Sequence, residues 1–315
     1  MNQKVARSPA FAPVVIFAFN RPDHLKQCID SILLNKESEF TEFWVFVDGP
    51  RNAIDKIKVR EVVQILDKYK AYKNWHFQFS EKNLGLAKSI ISGLNKVFEK
   101  SERAIIVEDD LVASPYFLEY CNFGLEKYEM DQRVASLHGF SYEFNKPEKS
   151  PYFLRGADCW GWATWKNRWE LFEEDSNNLI SQIKAKRLKR KFDLDDVYPY
   201  YNMLIRQSRG EVSSWAIRWH ASMFLANKLT LYPNKTLINN NGIDGSGTHA
   251  GQSKSFNSLL ADRPIDFANI EIREYRRVRR KLKRFLRNHY AIRYKCSPLR
   301  IGHGLIRRLI QIFTR

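Results

Sequence analysis

Apolar runs and helical periodicities alternate along the first 110 residues of the chain. Three continuous apolar runs predict buried strands at residues 14–19, 43–47 and 104–107, and residues 75–79 alternate in polarity as a strand does. Apolar residues recur at helical spacing between them, which predicts three helices: one from Pro22, and two over residues 54–69 and 84–98. This alternation predicts an α/β fold with a mostly parallel sheet and a site at the carboxyl ends of its strands.

Beyond residue 111 the pattern is less regular. It predicts helices over residues 115–128 and 212–227, a strand near residues 134–137 and a Trp-rich segment at residues 160–169. A Gly- and Asn-rich stretch at residues 239–251 has a length typical of a functional loop. The four cysteines are widely spaced and form no Cys-x-x-Cys pair, which argues against a zinc knuckle or a disulfide framework and fits a reducing compartment.

Charge is distributed unevenly along the chain. The formal net charge is +17, but residues 271–315 contain 15 Lys or Arg and two acids, so +13 lies there and +4 in the first 270 residues. Apolar residues recur every three or four positions from Ile272 to Leu286, as in helices that lie on an anionic membrane surface. A second apolar patch follows at residues 305–313. Two other interpretations stay open: binding of nucleic-acid phosphates, which the apolar patches disfavour, and packing of the helix on the body or on a second subunit.

The strongest chemical signal is the acidic triplet of Glu108, Asp109 and Asp110 at the end of a predicted buried strand. Three consecutive carboxylates repel one another and lose hydration there, so a positive group should offset the cost. Mg²⁺ or Mn²⁺ would do so, because such ions take one or two carboxylates and complete their shell with water and phosphates. The alternative is a solvated acidic turn that precedes the next helix.

Two other predicted strands end in polar residues. Asn20 and Arg21 follow the first strand, and Asp48 follows the second. The carboxyl ends of parallel strands meet at one edge, so these residues would join the acidic triplet in one crevice. Such a group suits a nucleoside diphosphate, with Arg21 on phosphate oxygens and Asp48 on a base N–H or a ribose hydroxyl. The alternatives are a surface ion pair for Arg21 and an ordinary turn for Asp48.

Six segments carry a resemblance to a known family: VVIFAFNRP at residues 14–22, VDG at 47–49, VEDDLVASPYFLEY at 107–120, a GW-containing segment at 160–165, Ser-Trp-x-x-Arg at 214–218 and a Gly/Ser/His loop at 242–252. With these motifs the chain resembles the GT-A glycosyltransferases, and within them the family of the animal enzyme N-acetylglucosaminyltransferase I. The resemblance implies a GT-A fold, a UDP-sugar donor and Mn²⁺ or Mg²⁺.

The resemblance also implies roles for single residues. Asp110 would ligate the metal, while Glu108 and Asp109 would lie against the donor sugar and ribose. Arg21, with Asn20 beside it, would contact the diphosphate, and Asp48 the uracil.

The resemblance further implies that the loop at residues 242–251 closes over the bound donor. Its glycines permit that motion, and Ser246, Thr248 or His249 would then reach the phosphates or the metal.

The sequence departs from the family at the catalytic base. An acidic residue just before the Trp of Trp-x-x-Arg serves as base there, whereas this chain has Ser214 before Trp215. An inverting transfer needs a carboxylate to take the acceptor proton. Glu211 and Asp158 are the candidates, with Glu211 favoured; structural roles for both, and a retaining mechanism, stay open.

Six of the eight tryptophans fall in two short segments: Trp160, Trp162, Trp165, Trp169, Trp215 and Trp219. Indoles stack on sugar rings, but tryptophans one helical turn apart also build cores. We expect one or two to face the substrate and the rest to be buried.

These features predict a GT-A glycosyltransferase domain over residues 1–260 and a basic amphipathic tail over residues 261–315. The expected reaction moves a sugar, an N-acetylhexosamine by the resemblance, from a UDP donor to a glycan or lipid-linked glycan of surface polysaccharide. With no signal peptide or bilayer-spanning run, we expect a cytoplasmic protein held peripherally on the inner face of the cell membrane through residues 271–315. A second subunit is an open partner, and nucleic acid is not expected. The rival functions are a sugar-nucleotide nucleotidyltransferase, which should carry a glycine-rich loop after residue 19, and a non-catalytic glycan- or nucleic-acid-binding protein.

Overall fold

The computed structural model describes residues 11–244, 259–268 and 270–295. Ten strands are found there: β1 (Val14–Ala18), β2 (Phe43–Val47), β3 (Trp75–Phe79), β4 (Arg103–Glu108), β5 (Leu111–Ala113), β6 (Val134–His138), β7 (Tyr152–Arg155), β8 (Trp162–Trp165), β9 (Leu229–Tyr232) and β10 (Ile238–Asn240). The α-helices are α1 (Pro22–Leu33), α2 (Ala53–Asp67), α3 (Leu86–Phe98), α4 (Phe117–Tyr128), α5 (Lys166–Trp169), α6 (Ser176–Ala185), α7 (Lys189–Phe192), α8 (Tyr200–Ser208), α9 (Trp215–Leu225) and α10 (Arg276–Lys295).

Eight strands form one sheet in the order β3-β2-β1-β4-β8-β6-β9-β7. The first four are parallel to one another, and β6 and β9 are also parallel. Strand β8 runs antiparallel to both of its neighbours, and β7 is antiparallel to β9. Strands β5 and β10 pair separately. The predicted α/β class with a mostly parallel sheet is therefore confirmed.

Alternate residues of a strand are buried on opposite faces of the sheet. In β1, Val14 and Ile16 belong to one apolar cluster, whereas Val15 and Phe17 belong to the other. All five residues of β1 and all five of β2 are buried. Strands covered by helices on both faces have this continuous apolar sequence, which is why the runs were recognisable as strands.

The strands of the second half were harder to predict. Strands β7 and β9 are four residues long, and the Trp-rich segment contains β8, whose residues are all buried. Large rings pack between the sheet and α9: Trp162 lies 5.5 Å from Trp215 and from Trp219, between ring centroids. Five of the six clustered tryptophans are buried, and only Trp160 is partly exposed. Burial of most of these rings agrees with the expectation, and contact of one or two of them with the substrate stays a prediction.

The basic helix α10 packs on the body of the protein. Its apolar residues Val278, Leu282 and Leu286 are buried in a cluster with residues of β7 and β9. Just before the helix, the Tyr275 amide donates to the Phe153 carbonyl at 2.9 Å. The apolar stripe of α10, which is typical of helices on membrane surfaces, therefore faces the body of the protein. Packing on the body was one of the interpretations that the sequence left open. The apolar patch at residues 305–313 lies outside the described residues.

Within the described part of the chain, no helix combines the length and the apolar character that crossing a membrane requires.

Gly124 of α4 packs closely against Leu137 of β6. A Cβ atom there would stand 1.9 Å from Leu137 Cδ2. Alanine favours a helix by about 1 kcal/mol over glycine, but overpacking a core costs about 1–3 kcal/mol. We expect the net effect of Gly124→Ala to be a loss of up to about 2 kcal/mol in the free energy of unfolding, measured in urea.

A double-mutant cycle provides the control. Leu137→Ala removes the atom that would clash, so its effect combined with Gly124→Ala should be smaller than the sum of the single effects. Additive effects would contradict this account of the contact.

Candidate active site

The parallel strands bring three polar turns to one edge of the sheet. Phe17 of β1 is in register with Glu108 of β4, and Ala18 with Val47 of β2. The Asp109 amide then donates to the Phe17 carbonyl at 2.9 Å, and the Asp48 amide to the Ala18 carbonyl at 2.9 Å. The turns after β1, β2 and β4 therefore adjoin, as the sequence pattern predicted.

Arg21 is the cation that faces the acidic triplet. Its Nη1 atom donates to Asp110 Oδ2 at 2.9 Å, and its Nη2 atom donates to Asp109 Oδ1. Burial works against the charge of Arg21, but Asp109 and Asp110 outweigh it and raise the pKa of the guanidinium above its usual range. The positive group that the triplet required is thus supplied by the chain itself.

The triplet nevertheless keeps an excess of buried negative charge. Burial, followed by Asp110 and Asp109, raises the pKa of Glu108 to about 8. Burial also raises the pKa of Asp109 to about 6, although Arg21 and the Phe19 amide act in the opposite direction. Additional positive charge at this edge would stabilise the ionised forms of both carboxyl groups.

The segment after β10 closes the side of the site next to Asp110. The Asn241 amide donates to the Asp110 carbonyl at 2.8 Å. Gly242 lies so close that a Cβ atom there would stand 2.2 Å from Asp110 Oδ2 and 3.0 Å from Arg21 Nη1. The Gly-rich loop therefore starts directly on the Arg21–Asp110 pair. Ser246 and His249, predicted to reach the phosphates or the metal, lie outside the described residues.

Asp48 organises the loop before α3. Its Oδ1 atom accepts from the amides of Gly49 at 2.9 Å and Leu84 at 2.8 Å. Its Oδ2 atom accepts from the Gly85 amide at 2.9 Å and from Asn83 Nδ2 at 3.0 Å. Four donors occupy the positions that a carboxylate offers. The predicted contact between Asp48 and uracil stays a prediction, and the bonds that the structure shows tie two turns together.

Asn20 belongs to a neighbouring polar group that the sequence analysis missed. Its Nδ2 atom donates to Asp55 Oδ1 at 2.6 Å, and Arg51 Nε donates to Asp55 Oδ2 at 2.7 Å. The Arg51 guanidinium also lies 4.9 Å from the centre of the Phe19 ring. The sequence signal that could have revealed this group is Asp55, an acid in the first turn of the predicted helix that follows the Asp-Gly-Pro-Arg turn.

Asp158 lies on the segment between β7 and β8. Its Oδ2 atom accepts from the hydroxyls of Tyr142 at 2.9 Å and Tyr232 at 2.8 Å. Burial raises the pKa of the adjacent Cys159 thiol, with further contributions from Glu108, Asp158 and Asp110, so this segment is within electrostatic reach of the triplet. Asp158 itself is partly exposed.

The other candidate base lies on the surface between α8 and α9. Glu211 is exposed, its Oε2 atom is 3.2 Å from Arg206 Nε, and its Oε1 atom is 3.7 Å from Arg209 Nη1. Ser214, which stands at the family's acidic position, caps α9 by accepting from the Ile217 amide. Serine is one of the preferred residues at a helix N-terminus, so this substitution has a structural explanation.

The site offers few ligands for a metal ion. Among the described residues, no three His, Cys, Asp or Glu side chains are grouped to hold one. The donor set fits an ion held by one or two carboxylates and completed by substrate phosphates. Asp110 suits that role best, because its carboxylate is partly exposed, whereas Asp109 is buried and also accepts from the Phe19 amide.

Fold and site together define an α/β protein of the class that binds nucleotides at the carboxyl ends of parallel strands. Residues 14–208, more than half of the chain, match the family described as Glycosyl transferase family 2. The chain therefore belongs to glycosyl transferase family 2, and its fold is that of the GT-A glycosyltransferases. Membership of the narrower N-acetylglucosaminyltransferase I family stays a prediction. No curated protein sequence matches the chain.

Solved structures with a similar fold include the crystal structure of S. aureus TarS 1–349, with 13% identity, a TM-score of 0.45 and coverage of 72% of this chain and 59% of that one. GalNAc-T7 with UDP, GalNAc and Mn²⁺ is 9% identical, with a TM-score of 0.46 and coverage of 71% and 43%. The mannosyltransferase PcManGT from Pyrobaculum calidifontis, in complex with GDP-Man and Mn²⁺, is 16% identical, with a TM-score of 0.30 and coverage of 45% and 39%. This chain spans about three fifths of the TarS structure.

An isosteric substitution tests whether Asp48 holds the loop before α3 in place. In Asp48→Asn an amide group replaces one acceptor oxygen and meets backbone N–H donors. We expect the free energy of unfolding to fall by about 1–3 kcal/mol in urea, because buried donors lose their acceptor. Asp67→Asn, at an exposed aspartate at the end of α2, is the matched control and should change it by less than about 0.5 kcal/mol. Equal effects of the two substitutions would contradict a special role for Asp48.

Proposed function

We propose that this protein is an active, metal-dependent glycosyltransferase that transfers a sugar from a UDP-sugar to a hydroxyl group of a glycan acceptor. The observation that carries the proposal is the grouping of Arg21 and the acidic triplet at the carboxyl ends of β1 and β4, in a chain of glycosyl transferase family 2. An N-acetylhexosamine is the sugar that the sequence motifs favour.

Three side chains would bind the donor. Arg21 is partly exposed and always charged, so it can pair with diphosphate oxygens. Asp110 would hold Mn²⁺ or Mg²⁺, and such an ion neutralises charge on the departing diphosphate. Glu108 lies partly exposed at the end of β4, where a donor sugar would reach it.

Asp158 is our candidate for the catalytic base of an inverting transfer. The Tyr142 and Tyr232 hydroxyls fix its carboxylate, and burial together with Asp158 keeps the pKa of both phenols well above the ordinary value. Both tyrosines therefore stay protonated donors, which leaves the carboxylate able to accept a proton from an attacking hydroxyl. Glu211, favoured by the sequence, is instead bound to two arginines on the surface.

Trp160 supports an acceptor site next to Asp158. It is the partly exposed member of the tryptophan clusters, and its ring lies 5.1 Å from Phe140, edge to face. Its amide donates to His138 Nε2 at 3.1 Å, which fixes the backbone two residues after Asp158. We propose that this ring contacts the acceptor sugar, and that the acceptor is a glycan or lipid-linked glycan of surface polysaccharide at the inner face of the cell membrane.

The donor and metal proposal predicts a metal-dependent affinity. Calorimetry should show that UDP binds more tightly with Mn²⁺ than without it. Loss of an outer hydrogen-bond partner of a metal ligand already weakens metal binding 10–100-fold, so we expect Asp110→Asn to weaken Mn²⁺-dependent UDP binding by about 100-fold or more. Asp67→Asn should leave it unchanged. An affinity of the unmodified protein for UDP that is the same with and without Mn²⁺ would overturn the proposal.

The two candidate bases can be separated by hydrolysis of UDP-N-acetylglucosamine, in which water replaces the acceptor. We expect Asp158→Asn to lower kcat by about 100-fold or more, as for loss of a general base, with little change in KM. Glu211→Gln removes the same charge from the surface and should change kcat by less than about twofold. The opposite ranking would assign the base to Glu211, and unchanged rates in both variants would contradict a carboxylate base at either position.

A further inference from the structure

The cations of α10 fall into two groups according to what they face. Arg279, Lys281 and Lys283 flank the buried apolar stripe and are mostly covered, with side-chain exposures of 16%, 19% and 18%. Arg279 Nη1 and Lys283 Nζ each lie 2.7 Å from Asp195 Oδ2, and Lys281 pairs with Glu148. These inner cations are neutralised within the protein.

The outer group consists of exposed arginines on the opposite face of the helix: Arg276, Arg277, Arg280, Arg284 and Arg287. At about 100° per residue they occupy one sector about 100° wide, and they extend for ~16 Å along the axis. The buried residues Val278, Leu282 and Leu286 lie on the other side. We call these five residues the outer arginine face.

No acidic group within the chain is seen to neutralise the outer arginine face. Among the described residues none of its arginines forms an ion pair, and Arg280 Nε makes only a long bond of 3.4 Å to the Arg276 carbonyl. The side chains that the structure does not describe include a single acidic residue, Asp244. The arginines repel one another, and a partner with negative charge would relieve that repulsion.

We propose that the outer arginine face docks this protein on the anionic headgroups of a phospholipid bilayer, through charge alone and without insertion of α10. A set of arginines on one exposed face of a helix suits a flat layer of mobile phosphates, with which guanidinium groups pair well. The apolar stripe is occupied by the body, so α10 has no apolar face left to enter the hydrocarbon. This docking does not require that the chain transfer sugars, so it stands apart from the proposed function.

A lipid surface is favoured over nucleic acid by the surrounding chain. Proteins that track single strands interleave their basic residues with exposed aromatic rings, whereas the outer face carries arginines alone. Its neighbour Phe285 packs against the Tyr142 ring, 5.5 Å away between centroids. The 20 residues that follow Lys295 add arginines and the apolar residues Leu305, Ile306 and Leu309, a composition typical of segments at membrane surfaces.

The test is sedimentation of the full chain with vesicles of phosphatidylcholine, alone or with roughly a quarter phosphatidylglycerol. We expect binding only to the anionic vesicles, with strong weakening as salt rises from about 0.05 to about 0.5 M. Each arginine near such a surface contributes about fivefold to the partition constant, so the variant R280Q/R284Q/R287Q should bind about 100-fold less.

Matched variants distinguish loss of the outer arginine face from a change in net charge and from unfolding. K56Q/R60Q/K73Q removes three exposed cations elsewhere and should retain most of the binding. R280K/R284K/R287K keeps the charge and should also retain it. Urea unfolding of each variant checks the fold. Asp110→Asn should bind vesicles as the unmodified protein does, which separates failure of docking from failure of the proposed catalysis.

Three results would overturn the proposal. Equal binding to neutral and anionic vesicles would exclude a charge-based mode. Unchanged binding of R280Q/R284Q/R287Q would place the contact elsewhere in the chain. Tighter binding to an RNA or DNA oligonucleotide than to anionic vesicles at the same salt, with loss in the same variant, would assign the face to nucleic acid instead.

Discussion

Charge balance at the end of β4 is the constraint on which the site depends. Three consecutive acids stand at the end of a strand whose interior is buried, and among the described residues one cation, Arg21, is bound to two of them. The backbone of Arg21 also accepts from the Leu25 amide at 3.0 Å, so the residue that neutralises the acids also begins α1. Gly242 then brings the segment after β10 onto the same pair. One ion-pair cluster therefore fixes the relative positions of three parts of the chain.

This arrangement has a consequence for ligand binding. The guanidinium that stabilises Asp109 and Asp110 is the same group that can pair with a diphosphate. A ligand that takes part of that positive charge must bring compensation for the carboxylates, because burial already raises the pKa of Glu108 and Asp109. Anion and metal binding are therefore expected to be coupled through Arg21.

The sequence allowed a good prediction of the parallel half of the sheet and of the residues that its strand ends bring together. Continuous apolar runs are unambiguous where helices cover both faces, and the register of β1, β2 and β4 then places Arg21, Asp48 and Asp110 at one edge. What could not be predicted was which partner each side chain selects. The Asp48 carboxylate accepts from backbone amides 36 and 37 residues away, and Ser214 is explained by a helix cap.

Periodicity has the same limit for α10. A stripe at helical spacing shows that one face is apolar, but it does not show what covers that face. The sequence favoured a bilayer, and the structure places Val278, Leu282 and Leu286 against the body. Short strands such as β7 and β9 escaped notice for a related reason: four residues are too few to establish a period of two.

The contact between β7 and the chain before α10 has a consequence for biosynthesis. Strand β7 lies at the end of the sheet order, and there the Tyr275 amide bonds to the Phe153 carbonyl while α10 covers the adjacent apolar side chains. A nascent chain exposes residues 152–155 long before residues 274–286 leave the ribosome. Until then the strand is an unprotected sheet edge that can pair with other chains. Protection of this sheet edge therefore depends on a segment about 120 residues further along the chain.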